Sequence, residues 1–178
     1  MIENFYAPKA LGASKAGVER FAEDLAKKIG FGPGDSIEEL VQRIGGRLVV
    51  GTSGFGDEES GSIIAREVND FEIFVSRHTS LKRDRFTIAH ELGHLLLHFR
   101  AIKDEDEHAV MRATRYVDQS DQDQQRAEWE ANWFAAAFLM PSTEFAATVK
   151  KSGVHSAAIE YGVSQVAADI RAKNLNVS

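Results

Sequence analysis

The stretch RFTIAHELGHLLLH, Arg85–His98, decides how this chain is read. It sets His90, Glu91, His94 and His98 among Phe86, Ile88, Ala89, Leu92, Leu95, Leu96 and Leu97, which leave little solvent face on a helix. Polar groups in such a run cost free energy unless something pairs with them. His90, Glu91 and His94 form H-E-x-x-H. Residues i and i+4 share one helical face, so two imidazoles there can reach one zinc at about 2.0–2.1 Å. Glu91, beside the first ligand, can take a proton from a water that the metal activates for attack on a carbonyl. Gly93 costs ~1 kcal/mol against alanine in a helix interior, which predicts close approach of another backbone.

A metal at this helix needs a third protein ligand. His98 continues the i, i+4 series, but it lies about 12 Å from His90 along the axis. It is expected to finish the helix or bond a neighbour instead. A metzincin pattern would need Gly at 97 and His at 100, where the chain has Leu97 and Arg100. There are no cysteines, so any metal must be held by His, Asp or Glu. The candidate is a carboxylate on a second helical segment, QRAEWEANWFAAAFLM, which stops at Pro141. Glu128 shares a face with Asn132 and with the small residues Ala131 and Ala135, which permit close helix packing. Glu128 would ligate, and Asn132 would support the ligands by a hydrogen bond. Glu130, about 200° around the helix, is the rival. Solvation is a fair reading for one of the two glutamates, not for both.

The remaining sequence frames these two helices. Val18, Phe21, Ala22, Leu25 and Ile29 recur at helical spacing between Ser14 and Gly30. Ser36 and Glu39 resemble a capping box before Ile37, Leu40, Val41 and Ile44. RLVVGT (47–52), SIIARE and FEIFVS read as strands. The last two are joined by Val68-Asn69-Asp70 as a hairpin. The first motif predicts a helix from Leu81 to Phe99, and AIKDEDEHAV after it reads as acidic surface. Three short helical pieces follow Pro141, near 142–151, 155–161 and 164–173. This order predicts an α+β fold, with residues 1–141 as one domain and 142–178 as a helical, helix-turn-helix-like subdomain.

Composition narrows the function. The chain has 178 residues, 43% of them apolar, and a formal charge of −6. Nucleic-acid binders usually carry a basic excess. In the tail Lys150, Lys151, Arg171 and Lys173 face Glu144, Glu160 and Asp169, which offers few phosphate contacts. Direct nucleic-acid binding is therefore not expected. No apolar run approaches a membrane span and no signal peptide is evident, so a cytoplasmic protein is the expectation. The run Asp104-Glu105-Asp106-Glu107 reads as a solvated loop. His78, His108 and His155 have no ligand spacing. Tyr116 or His108 could add a donor for the oxyanion, without a signal to favour either.

RFTIAHELGHLLLH followed by EWEANWFAAAFLMP resembles the ImmA/IrrE family of small zinc-dependent peptidases. The likeness runs almost position for position over Arg85–His98 and Glu128–Pro141. It implies a zincin-like, gluzincin-type fold with a small sheet beside the HExxH helix. It also implies zinc held by His90, His94 and Glu128, with Glu91 as general base. Mn²⁺ or Fe²⁺ could occupy the same donor set. The implied substrate is a helix-turn-helix repressor whose cleavage releases stress-response or mobile-element genes. The alternative is a repressor-binding partner or toxin–antitoxin component with little or conditional proteolysis. The resemblance further implies a minimal form, without the C-terminal sensor-like domain of some members.

Overall fold

The computed structural model describes residues 4–51, 62–76, 79–114 and 120–177. In chain order these form β1 (Phe5–Tyr6), α1 (Lys15–Ile29), α2 (Ile37–Arg43), β2 (Gly46–Val50), β3 (Ser62–Glu67), β4 (Asp70–Val75), α3 (Leu81–Leu97), α4 (Phe99–Glu105), β5 (Val110–Ala113), α5 (Gln122–Leu139), α6 (Ser142–Glu160) and α7 (Gln165–Asn174). The mixture is α+β, as the sequence predicts.

Side-chain caps start several of the helices, at Ser14 and Ser36 where the sequence marks them. The side chains of Ser14, Ser36 and Ser164 accept the amide protons of Gly17, Glu39 and Ala167, which opens α1, α2 and α7. Ser80 does the same for Arg83 in α3, and Asp121 for Asp123 and Gln124 in α5. Gly30 ends α1 in the left-handed region at φ 68°. The tail pieces also stand where expected. Gly153, at φ 81° and ψ 163°, breaks α6 into two helical runs.

The sheet order is β1-β5-β3-β4-β2. β3 and β4 form the antiparallel hairpin, with Glu67 opposite Asp70. Ile63 and Ala65 on β3, and Phe71, Ile73 and Val75 on β4, alternate inward, so one face of the sheet enters the core. β2 joins β4 in parallel, as β1 joins β5. Neither β1 nor β5 is apparent in the sequence. Both are short, β1 lies about a hundred residues from its partner β5, and β5 also pairs with the distant β3, so no local pattern announces them.

α3 packs along α5 and also contacts β3 and β4. This explains why its buried residues, from Ile88 and Ala89 to Leu95 and Leu97, run around the helix. Gly93 faces α5 as expected. A Cβ there would lie 3.1 Å from Ala131 Cα and 3.2 Å from its carbonyl oxygen. Ala131 and Ala135 are fully buried in this contact, so the small residues set the approach of the two motif helices.

The first motif's helix is shorter than expected. α3 ends at Leu97 rather than Phe99, because His98 departs to φ −110°, and α4 starts afresh at Phe99. Phe99 and Ile102 are buried, so α4 has an apolar anchor within what read as acidic surface. The acidic run serves the N-terminal segment. Glu105 pairs with Lys9 at 2.5 Å, and Asp106 accepts a 3.0 Å hydrogen bond from Tyr6. No helix among the described residues is long and apolar enough to cross a membrane.

Candidate metal centre

α3 carries His90 and His94 on one face, and α5 brings Glu128 to meet them. His90 Nε2 and His94 Nε2 lie 3.1 Å apart. Glu128 Oε2 is 3.2 Å from His90 Nε2, and its Oε1 is 3.0 Å from His94 Nε2. Among the described residues these three form the one His/Asp/Glu group spaced to hold a metal ion. A tetrahedral ion with bonds of 2.0–2.1 Å needs ligand atoms about 3.3 Å apart, so the observed edges fit.

The hydrogen bonds around the cluster reinforce this fit. His90 Nδ1 is 3.1 Å from Asn132 Oδ1, the contact expected of Asn132. An oxygen there calls for a proton on Nδ1, which leaves Nε2 with its lone pair toward Glu128. The His90 lone pair, His94 Nε2 and a carboxylate then converge on one point, an arrangement that a cation reconciles.

Charge effects in the metal-free protein are large. Burial opposes the charged form of His94 and, despite hydrogen bonding to Glu128, lowers its pKa to about 4. Burial acts the same way on His90, but the Glu128 hydrogen bond and the Glu91 and Glu128 charges outweigh it, and its pKa is raised. Burial pushes Glu128 upward, yet the His90 and His94 rings beside its carboxylate carry it well below the usual carboxylate range. The three groups thus form a charge-coupled unit rather than independent sites.

Glu91 stands apart from the cluster. It is 3% exposed, and its Oε2 has no hydrogen-bond partner among the described residues. Burial raises its pKa to about 8. It lines a pocket of about 230 Å³ together with His90, His94, Glu128, Asn132 and Thr114. A buried carboxylate with an unused oxygen thus lies beside three side chains spaced to hold a metal ion.

The structure corrects the reading of Glu130. Neither glutamate of α5 is a solvated bystander. Glu130 is fully buried, and its Oε2 lies 3.1 Å from His98 Nε2. His98 is outside the cluster, as distance along the helix required, and its Nδ1 sits 3.0 Å from His94 Nδ1. Of the two oxyanion candidates, His108 is exposed and does not line the pocket. Tyr116 falls outside the described residues, as does His78.

A family profile described as IrrE N-terminal-like domain, peptidase M78, matches residues 66–173. That span holds both motif helices and the whole cluster, and the chain belongs to this family. Among solved structures the chain is similar to a Mycobacterium tuberculosis transcriptional regulator, with 19% identity and a TM-score of 0.58. The likeness covers 87% of this chain but 46% of that one, so this chain spans under half of that protein's length. At that identity it supports the fold alone. No curated protein matches the chain.

Proposed function

We propose that this protein is a metal-dependent endopeptidase, with zinc the metal best suited to its donors. The observation that carries this is a three-residue donor set opening on a pocket beside a buried Glu91 whose Oε2 has no partner among the described residues. Structural zinc sites are normally closed by four protein ligands, whereas catalytic sites keep a position free. His90, His94 and Glu128 would hold the ion. When bound, it supplies Lewis acidity, polarising a carbonyl and lowering the pKa of water to about 7. Glu91 accepts a proton at its free Oε2 from the water that adds to the scissile carbonyl. It then delivers that proton to the departing amide nitrogen as the C–N bond breaks. A carboxylate with its pKa raised toward neutrality suits both halves of this transfer. Asn132 holds His90 by accepting from Nδ1.

The fitting substrate is a protein, and in this reading a helix-turn-helix repressor. The peptidase family supports a protein substrate, and a structurally similar protein is itself a transcriptional regulator. Arg171, one of the tail's few cations, is buried and paired with Glu19 and Glu23 of α1, so it is not offered to phosphates. The pocket also opens toward a groove of about 800 Å³ between α1, α3, α5 and α7. Both share Arg83, Phe86, Thr87 and Asn132. Val166 and Ile170 on α7 point apolar side chains outward there, which offers a seat for apolar residues flanking the cut.

Two measurements test this reading. Zinc-loaded protein mixed with the repressor encoded beside its gene should yield discrete fragments, and the Glu91→Gln protein should not. Equal, intact repressor in both, with metal bound, would refute the peptidase. For the groove, Ile170→Asp should raise KM for that repressor about tenfold, with kcat nearly unchanged. An unchanged KM would exclude the groove from substrate binding.

A further inference from the structure

We propose that His98 and Glu130 are positioning residues for the metal ligand His94, forming a buried chain that fixes which His94 nitrogen faces the ion. This rests on His94 being a ligand, as argued above. The site alone does not explain the pair. Both side chains are fully buried, with neither among the cluster's donors.

Glu130 anchors the chain because donors converge on it. Its Oε2 accepts from the Leu11 amide at 2.7 Å, and its Oε1 accepts from Arg126 Nε at 3.2 Å. Arg126 in turn donates to the Ala13 carbonyl, so the segment before α1 is tied to this carboxylate. His98 Nε2, at 3.1 Å from Oε2, completes the ring of donors. A carboxylate can only accept, so His98 carries its proton on Nε2. With neutral imidazoles the rest follows. His98 Nδ1 offers a lone pair, and His94 Nδ1–H donates to it across 3.0 Å. His94 Nε2 is then bare, 3.0 Å from Glu128 Oε1 and 3.1 Å from His90 Nε2. The chain from Glu130 through His98 thus does for His94 what Asn132 does for His90. Each ligand has its tautomer set by a partner on the side away from the metal.

The placement also accounts for the helix end. His98 lies one turn beyond His94 on the same face, where α3 gives way to α4. It can therefore reach both His94 on its own helix and Glu130 on α5. Glu128 and Glu130, two positions apart, divide the work: one lies within the donor cluster, the other two hydrogen bonds away.

The test is metal affinity, read by chelator competition with zinc, and the visible absorption of the Co²⁺-substituted protein. His98→Phe keeps a ring of similar size without nitrogens, and Glu130→Gln turns an amide N–H₂ toward existing donors. Both should weaken zinc binding roughly 10–100-fold and alter the Co²⁺ spectrum. His98→Asn restores an oxygen acceptor opposite His94 Nδ1 and should recover affinity relative to His98→Phe. Should His98→Phe fail to fold, Glu130→Gln decides the matter. Wild-type affinity and an unchanged spectrum in folded Glu130→Gln and His98→Phe would overturn the proposal. His94→Ala separates this from the reading it rests on. If that variant loses zinc while the His98 and Glu130 variants do not, only the positioning role falls. If it too keeps zinc, the metal centre itself is misassigned.

Discussion

Glu128→Ala is expected to abolish stoichiometric zinc binding at neutral pH, while Glu130→Ala still fills at saturating zinc. The two glutamates stand two residues apart on α5 with opposite fates. Glu128 places its carboxylate 3.0 and 3.2 Å from the two Nε2 atoms. Its removal leaves two imidazoles without the charge that balances a divalent ion. The loss should exceed the ~100-fold ceiling typical of outer partners. Glu130 touches no donor of the cluster except through His98, so its loss weakens the site without removing a ligand. Chelator competition on both variants checks the contrast. Equal losses, or a larger loss at Glu130, would place the third ligand wrongly. Glu128→Gln sharpens the point: it keeps shape and an oxygen but not the charge, and should bind between wild type and Glu128→Ala.

The site was unusually legible because its two halves each carry a local signal. H-E-x-x-H needs only helical spacing to place His90 and His94 together. Glu128 was favoured over Glu130 because it shares a face with Asn132, Ala131 and Ala135. The structure shows that face against Gly93. The His98–Glu130 pair was not legible in the same way. Distance along α3 separates His98 from a shared ion, and its face on α5 turns Glu130 away from Glu128. What no single helix reveals is that these two side chains meet each other. The available signal was a third histidine and a second glutamate, each among apolar neighbours and each in need of a partner.

The fold shows the same division. Capped helices and the β3–β4 hairpin depend on contacts within a few residues, and they stand close to where pattern places them. The hairpin's alternation survives even with the irregular register between Ala65 and Glu67. β1 pairs with β5 about a hundred residues away, and the buried residues of α4 are Phe99 and Ile102. For those elements tertiary contact, not local preference, supplies the stabilisation. The break at His98 belongs with them, since nothing in LLLHFRAI forbids a continuous helix.

Glu91→Gln is expected to lower the cleavage rate by about 10²–10⁴-fold while leaving zinc affinity near wild type. It should also stabilise the metal-free protein in a pH-dependent way. Glu91 has a pKa of about 8 in the fold against 4.5 as its ordinary value, chiefly through burial. Between those values the folded state keeps a proton that the unfolded chain has released. Stability therefore falls as pH rises across that window, and the cost is complete above pH 8. Glutamine has no proton to lose. Metal-free Glu91→Gln should thus melt near wild type at pH 4.5 and progressively above it toward pH 9, by roughly 2–4 °C for each kcal/mol recovered. Zinc should narrow the gap, because a cation beside Glu91 favours its charged form. Melting curves of both proteins, with and without zinc at several pH values, check this directly. A gap that ignores pH would mean that Glu91 is not held protonated by burial. A variant that cleaves at the wild-type rate would remove Glu91 from the chemistry. The two outcomes together ask whether the group that moves the proton is also one whose burial costs the fold stability, as a carboxylate kept away from bonding partners should be.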